Sequence, residues 1–306
     1  MNFLKLIRYQ NLLLLVFMQI IFRYGFFKYQ NITLALTDFQ YVILVLSTVL
    51  IAAGGYVINN IFDQDTDAIN YPKKVVVGNS ISEKQAYNIY LILTSCGVGI
   101  GFYLANVIQK PLFAAIFILI AATLYLYATS LKQMLLIGNI VVAFLLAFSV
   151  IIIGIFDLYP VTFVENQQQM GVLFSILIDY AIFAFIINLF REIIKDFEDF
   201  EGDKIEGMNT FPIYFGKKIA VKIIFGFSFL PLVLLLFYIN QYLINLLFVT
   251  IYLFLFVAAP LLIFIMKIWN AESKKDFQFL SLLLKWILFF GILSVVLISF
   301  NIKYNA

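Results

Sequence analysis

Long apolar runs separated by short polar segments dominate the chain from end to end. A membrane-spanning helix needs about 20 predominantly apolar residues, and nine runs meet that requirement. They lie near residues 9–27, 40–62, 86–108, 111–129, 133–156, 170–190, 219–238, 243–267 and 281–301. The pattern predicts an all-α integral membrane protein, a single bundle of about nine transmembrane helices that forms one domain over residues 1–306.

Composition agrees with this class and narrows the chemistry. The chain is 64% hydrophobic and 12% charged, whereas soluble domains are about half apolar and a quarter charged. It has no histidine, which excludes imidazole as a general base or as a haem or zinc ligand. The one cysteine, Cys96, lies in an apolar run and is expected to be a small core residue. Catalysis would therefore depend on carboxylates, lysine, arginine, tyrosine, asparagine or a bound metal.

The basic residues are distributed unequally between the two sides of the predicted bundle. Fifteen of the twenty lysines and arginines lie on the N-terminal segment or between spans 2 and 3, 4 and 5, 6 and 7, or 8 and 9. Only Arg23, Lys28, Lys110 and Lys303 lie on the other side. Because positively charged loops stay inside, the first group of segments is predicted to be cytoplasmic.

The carboxylates are concentrated in two short windows on that same side. Of 17 Asp and Glu residues, three lie in residues 63–67 and seven in residues 192–206. Both windows directly follow a predicted span, namely the second and the sixth. The two clusters are therefore expected to face each other across one cavity mouth.

Within the first window, polar residues recur at helical spacing. If span 2 continues as a helix, Asn59, Asp63 and Asp67 share one face and Asp65 points away. An EF-hand is excluded, because its glycine and glutamate positions hold Ala68 and a lysine.

The second window repeats this arrangement. Asp196, Asp199 and Asp203 recur at i, i+3 and i+7, with Lys195 adjacent and Arg191 one turn earlier. Stacked carboxylates at a membrane boundary are costly unless they are paired or bind metal. Mg²⁺ is typically held by one or two carboxylates together with substrate phosphates. The two stripes predict an Mg²⁺ site for a diphosphate substrate, with these candidate ligands: Asp63, Asp67, Asp196, Asp199 and Asp203.

These windows resemble the two Asp-rich motifs of the UbiA superfamily of intramembrane prenyltransferases. The first family motif, N-D-x-x-D-x-x-x-D, is matched by Asn59, Asp63 and Asp67, with Asn60 at a variable position. The second motif, K-D-x-x-D-x-x-G-D, is matched over residues 195–203. The family's nine-helix architecture, with its motifs after helices 2 and 6, covers the whole chain.

Further segments resemble one branch of the superfamily. Tyr127–Asn139 resembles that branch's Y-x-x-x-L-K…G-N stretch and includes Lys132. The I-N-x-P stretch is present at Ile69–Pro72, but two arginines of the branch are missing, and Lys74 offers a charge without bidentate phosphate binding. The branch transfers geranylgeranyl to geranylgeranylglyceryl phosphate. Enzymes that prenylate aromatic acceptors in quinone or haem biosynthesis share the same motifs and remain an alternative.

The resemblance implies a prenyl diphosphate donor, a lipophilic acceptor, an Mg²⁺ cofactor, association with membrane lipid and no nucleic-acid partner. It also implies a bacterial or archaeal cell membrane, with the active site on the cytoplasmic side. The catalytic residues implied are Asp63, Asp67, Asp199 and Asp203. The substrate-binding residues implied are Asn59, Lys74, Lys132, Arg191, Lys195 and Asp196.

A cation transporter is the alternative from another functional class. Such a protein is expected to carry acidic residues along a pathway at the bilayer midplane. Here most carboxylates lie at one membrane face, and Asp179, midway along span 6, is the one at the midplane. An ionisable residue at that depth is a candidate functional residue, or is paired inside the bundle.

Overall fold

Nine long helices, as counted in the part of the chain that the structure describes, are apolar enough to cross a membrane. The structure is a computed structural model, and it describes residues 2–72 and 75–305. The helices are α1 Tyr9–Phe27, α2 Asp38–Phe62, α3 Glu83–Val107, α4 Pro111–Thr129, α5 Ile137–Val161, α6 Gln167–Glu198, α7 Lys217–Leu243, α8 Leu247–Ile268 and α9 Lys274–Tyr304. The predicted all-α membrane fold is confirmed.

Two helices extend further into the polar sequence than predicted. The sixth span was expected to end near residue 190, but α6 continues to Glu198. The ninth was expected to begin near residue 281, but α9 begins at Lys274. Hydropathy locates only the part of a helix that matches the hydrocarbon layer. Beyond that layer the last turns of α6 remain helical, supported by an i, i+3 ion pair between Lys195 and Glu192.

The starts of α2 and α3 are defined by capping boxes. The Thr37 hydroxyl accepts a hydrogen bond from the Gln40 backbone N–H, and the Gln40 side chain accepts one from the Thr37 N–H. Ser82 and Gln85 form the same reciprocal pair before α3. Each box satisfies backbone donors that a helix start leaves unpaired.

Helices α2 and α3 pack closely because small residues lie at their contact. A Cβ atom added at Gly54 would collide with the Thr94 hydroxyl, and one at Gly97 would lie 2.7 Å from Ile51 Cγ1. Small residues let membrane helices approach closely and increase their van der Waals contact. This tight pair fixes the direction of α2, the helix that leads into the first Asp motif. Cys96, next to Gly97, is exposed, so its predicted place in the core is wrong.

Two large apolar clusters account for most of the core. One unites residues of α1 to α6, and the other unites α6 to α9. Helix α6 contributes to both clusters and packs against both α5 and α9. It therefore runs through the middle of the bundle and carries the second Asp motif at its end.

At the end of the bundle opposite to the motifs, a buried ion pair ties α1 to α5. Arg23 Nη1 contacts Asp157 Oδ2, and both side chains are almost fully buried. Arg23 Nη2 also donates to the Leu36 carbonyl at 2.6 Å, while the Leu36 N–H donates to Asp157 at 3.0 Å. Both charged residues lie in π-helical turns, Ile21–Phe27 and Gly154–Leu158. The pair fixes the segment that leads into α2.

Candidate functional site

The middle aspartate of each Asp motif lies where a long helix ends, with nearly the same backbone geometry. Asp63 follows α2 with φ −96° and ψ 5°, and Asp199 follows α6 with φ −98° and ψ 2°. A short helix follows each residue, Gln64–Asn70 in the first motif and Phe200–Ile205 in the second. Span 2 therefore does not continue without interruption. Its helix breaks at the middle residue of the motif.

The helical spacing nevertheless persists through both breaks. In the first motif the Asp63 N–H donates to the Asn59 carbonyl at 2.9 Å, and the Asp67 N–H donates to the Asp63 carbonyl at 2.8 Å. In the second, the Asp203 N–H donates to the Asp199 carbonyl at 3.1 Å. Since these are ordinary i to i+4 bonds, the aspartates of each motif stay roughly one turn apart.

Asn70 joins the two motifs directly. Its side-chain amide donates to the Asp199 carbonyl at 2.9 Å and accepts from the Gly202 N–H at 3.1 Å. A Cβ atom at Gly202 would collide with Asn70 Nδ2 and lie 3.0 Å from the Thr66 carbonyl. Lys274 at the start of α9 donates to the Asn70 carbonyl at 3.1 Å. The structure thus brings the two motifs together at one end of the bundle, as predicted.

The carboxylates of the two motifs repel one another. Burial and then Asp63 raise the pKa of Asp67 to about 6, with a further contribution from Asp199. Burial also raises the pKa of Asp199 to about 6. Burial, followed by Asp199 and Asp63, raises the pKa of Asp203 to about 8. Because residues of each motif act on the other, the two stripes form one electrostatic unit. A cation between them would relieve the repulsion.

Several neighbours hold individual motif side chains. Lys132 forms an ion pair with Asp63, which also accepts a hydrogen bond from the Asn59 amide. Asn139 at the start of α5 donates to Asp196 at 3.0 Å. Lys132 was predicted to contact a phosphate, and the structure positions it on a motif carboxylate. Lys74, the other lysine predicted near this site, lies outside the described residues, as does the adjacent Lys73.

The residues present fit a magnesium ion that the substrate helps to hold. Asn59 Oδ1 and Asp199 Oδ1 are buried and have no hydrogen-bond partner in the described parts of the chain. Both are hard oxygen donors of the kind Mg²⁺ prefers. Within residues 2–72 and 75–305, however, no three carboxylates converge closely enough to hold a metal ion by themselves. This arrangement suits Mg²⁺, which keeps several waters and takes further ligands from substrate phosphates.

A cavity extends from the motifs into the interior of the bundle. Its polar end is lined by Arg8, Asn59, Arg191, Glu192 and Lys195. Its walls towards the other end are mostly apolar and come from α2, α4 and α5, with Thr48, Ile51, Phe117, Ile120, Leu124, Phe148 and Ile152 among them. Asn59 and Thr48 are eleven residues apart on α2, so the cavity runs for about 16 Å along that helix.

The polar end of this cavity holds more positive than negative charge. Glu192 Oε1 accepts from Lys195 at 2.6 Å and from Arg191 at 3.1 Å, so one carboxylate serves two cations. Arg191 Nε is buried without a partner among the described residues. Burial opposes the charge of Arg8, but Asp63 and Asp67 raise its pKa further above the usual range. These side chains can bind an anionic group that lies beside the aspartates.

Sequence reasoning missed Arg8 and two tyrosines of this cavity. Arg8 was counted only among the positive-inside residues, yet it lies within the site, held by a backbone turn with φ 48°. Tyr56 and Tyr127 also line the cavity, and the Arg8 guanidinium lies 5.5 Å from the centre of the Tyr56 ring. Tyr56 precedes Asn59 by three residues, and this spacing was the available signal. Asp179 lies in a separate cavity beside Tyr238.

Residues 24–296 match the model of the UbiA prenyltransferase family. The chain belongs to the UbiA prenyltransferase family. The family assignment made from the two motifs is confirmed, and so is the enzyme class at the level of the family.

Curated relatives of this UbiA protein include digeranylgeranylglyceryl phosphate synthases from archaea. The protein from Methanobrevibacter smithii is 35% identical over 186 residues, which cover 61% of this chain and 62% of the relative. The protein from Sulfolobus acidocaldarius is 37% identical over 188 residues, covering 60% and 61%. The chain thus spans under two thirds of the length of these relatives.

Solved structures share the fold over nearly the whole length. A UbiA homologue from Archaeoglobus fulgidus bound to GPP and Mg²⁺ has a TM-score of 0.61 at 18% identity, and the match covers 96% of this chain and 99% of that one. A UbiA homologue from Aeropyrum pernix K1 without ligand has a TM-score of 0.63 at 13% identity, covering 99% and 97%. At these identities the likeness establishes the fold alone.

Proposed function

We propose that this UbiA protein is a single-domain, Mg²⁺-dependent prenyltransferase with an allylic prenyl diphosphate as donor and geranylgeranyl diphosphate as the preferred one. The acceptor we propose is geranylgeranylglyceryl phosphate, in a bacterial or archaeal cell membrane with the motifs on the cytoplasmic side. The observation that carries the proposal is the cavity between the helices. It joins a polar, cationic end beside both Asp motifs to an apolar interior.

The donor fits this cavity in one orientation. Its diphosphate would lie at the polar end, where Arg8, Arg191 and Lys195 supply charge and Asn59 supplies an amide. Its tail would follow the apolar wall inward past Phe117. The length of about 16 Å along α2 accommodates a chain of several isoprene units. The aromatic rings near the polar end would shield positive charge that develops on the allylic carbon from water.

Magnesium would be held by Asp63, Asp67, Asp196, Asp199 and Asp203. When bound, it supplies positive charge that stabilises the diphosphate as a leaving group. Lys132 would share Asp63 with the metal site and contact the same diphosphate. Lys74 remains a proposed contact from its position in the sequence.

In the reaction that we propose, the bond between the allylic carbon and the diphosphate oxygen breaks, and the diphosphate leaves with the electron pair. A bond then forms between that carbon and the acceptor hydroxyl oxygen, whose proton passes to the departing diphosphate. Arg8, Arg191 and Lys195 stabilise the negative charge on the leaving group because they already lie in a site of low dielectric. The acceptor is supported by the synthases among the curated relatives.

One assay tests donor, metal and acceptor together. Purified protein in detergent is supplied with labelled geranylgeranyl diphosphate, Mg²⁺ and either geranylgeranylglyceryl phosphate or an aromatic acceptor such as 4-hydroxybenzoate. We expect a labelled ether lipid from the first acceptor and no product in EDTA. If only the aromatic acceptor is prenylated, the proposed acceptor is wrong. Turnover in EDTA would contradict the role of the metal.

A further inference from the structure

A second cavity adjoins the first and contains a lysine inside the membrane-spanning part of α9. Its polar side chains include Asn11 of α1, Asn188 and Arg191 of α6, and Lys285 of α9. The rest of its wall is mainly apolar, with Leu14, Met18, Phe22 and Leu288 among the lining residues. Both cavities are lined by Leu15, Tyr56, Leu146, Ser149 and Arg191, so the two spaces adjoin along their apolar walls as well as at Arg191.

The charge of Lys285 is not matched by an acid. The residue lies eleven positions into α9 and about four positions, roughly 6 Å, inside the predicted span. Its ammonium donates to Asn11 Oδ1 at 3.2 Å, and no carboxylate in the described part of the chain forms an ion pair with it. An ionised lysine at such depth is costly without a counter-charge. The cavity thus has a cation whose protein partner is a neutral amide.

Arg191 adds a second cation to the same space. Its Nη1 reaches Glu192 at 3.1 Å, but Lys195 binds the same carboxylate oxygen at 2.6 Å. Its Nε is buried without a partner in residues 2–72 and 75–305. Together, Arg191 and Lys285 give the cavity a surplus of positive charge that a bound anion would balance.

The shape and chemistry of the cavity indicate the class of anion. A planar guanidinium and an ammonium bind the oxygens of a phosphate monoester well. Beyond them the wall is mainly apolar, and Tyr180, Phe183 and Gly291 also line a third cavity between α6, α7, α8 and α9. A single alkyl chain attached to the phosphate would find apolar surface along the wall of the second cavity.

We propose that Arg191 and Lys285 form a binding site for the phosphate monoester of a single-chain lipid. Resting on the proposed function, we assign it to the acceptor, whose phosphate would lie beside the donor diphosphate at Arg191. Lys132, which pairs with Asp63, stays with the donor diphosphate. The assignment gives Lys285 a role that does not depend on the metal.

Binding is tested without catalysis, in EDTA, by the thermal unfolding of the purified protein. The probes are dodecyl phosphate, inorganic phosphate and dodecanol, and the variants are Lys285→Met and Lys285→Arg. Lys222→Met is the control, because Lys222 is exposed on α7. We expect dodecyl phosphate to raise the unfolding temperature of the wild type, Lys285→Arg and Lys222→Met, but not of Lys285→Met. Equal stabilisation of Lys285→Met, or of the wild type by dodecanol or inorganic phosphate, would overturn the site.

A kinetic comparison separates this proposal from the proposed function. Lys285→Met should raise the KM for geranylgeranylglyceryl phosphate by about tenfold or more, while the KM for the prenyl diphosphate changes less than about twofold. If the wild type prenylates only aromatic acceptors and yet binds dodecyl phosphate through Lys285, the anion site stands and the proposed acceptor falls. If dodecyl phosphate does not bind, the anion site falls whichever acceptor is used.

Discussion

The two ends of the bundle treat buried charge in opposite ways. At the end opposite to the motifs, Arg23 pairs with the buried Asp157, and the two share Leu36 as a backbone partner. Asp38 makes a second, longer contact with Arg23 at 3.4 Å. At the motif end, acids and bases lie in neighbouring regions. Asp67, Asp199 and Asp203 repel one another, and beside them Arg191 and Lys195 share a single carboxylate.

This difference indicates that the charges at one end stabilise the fold, whereas those at the other end are available to bind a ligand. A matched buried pair contributes to the fold by satisfying its own charges, and losing one member leaves the other unpaired. At the other end Lys132 pairs with Asp63, but Asp67, Asp199 and Asp203 form no ion pair within the described residues. These carboxylates, and the neighbouring Arg191 and Lys195 that share one acid, have no such structural role. A magnesium ion with a diphosphate carries both charges needed to neutralise them, with the metal on the acidic side and the phosphates on the basic side.

The comparison is tested most severely by removing one member of the matched pair. Asp157→Ala removes the buried counter-ion of Arg23 and leaves it only the longer contact with the exposed Asp38. We therefore expect a loss of about 3–5 kcal/mol in the free energy of unfolding. Unfolding in mixed micelles with increasing SDS measures it. The double variant Arg23→Met/Asp157→Leu should regain most of the stability. A loss below about 1 kcal/mol would show that the pair is not structural.

Removing a motif carboxylate should lower activity strongly without lowering stability. Asp199→Asn and Asp203→Asn should each lower kcat by about two orders of magnitude or more, because charge stabilisation of the leaving group is lost. The metal-free variants should be at least as stable as the wild type, because a buried like charge is removed. Asp65→Asn is the matched control, since Asp65 is exposed, and its activity should change less than about twofold. Equal losses in all three variants would contradict the assignment.

Moving the two motifs apart should reduce kcat by a smaller factor. In Gly202→Ala the added methyl group meets Asn70 and the Thr66 carbonyl, so the short helices must move apart. Because the short helices carry residues of both Asp motifs, this displacement should lower kcat about tenfold or more. Gly226→Ala in α7 is the control, because a Cβ there meets nothing within 4 Å. Wild-type turnover by Gly202→Ala would show that the contact between the motifs is not needed.

The sequence predicted much of this architecture because membrane helices follow a simple physical rule. Length and hydropathy located all nine spans, and the spacing of Asp63, Asp67, Asp199 and Asp203 located both motifs. The break at Asp63 was not predictable, because the i, i+4 pattern is the same on either side of it. The ends of α6 and α9 were missed because hydropathy changes before the helix ends.

The contents of the cavity were harder to predict. Arg8 and Lys285 come from opposite ends of the chain, and only the packing of α1 beside α9 brings their surroundings together. Asn70 had a sequence signal, the I-N-x-P stretch, but its contact with Gly202 depends on how the two short helices meet. The exposure of Cys96 could not be predicted either, because an apolar stretch does not reveal which of its faces meets lipid.

The position of the bound metal is the most direct test of the central claim, that both motifs act together on one metal–diphosphate group. Mn²⁺ in place of Mg²⁺, with a non-hydrolysable thiolo analogue of geranylgeranyl diphosphate, can be located by anomalous scattering from crystals of the protein. We expect metal density between Asp63 and Asp67 on one side and Asp199 and Asp203 on the other, with the diphosphate facing Arg8 and Arg191. Metal bound by one motif alone, or a diphosphate outside the cavity, would contradict it.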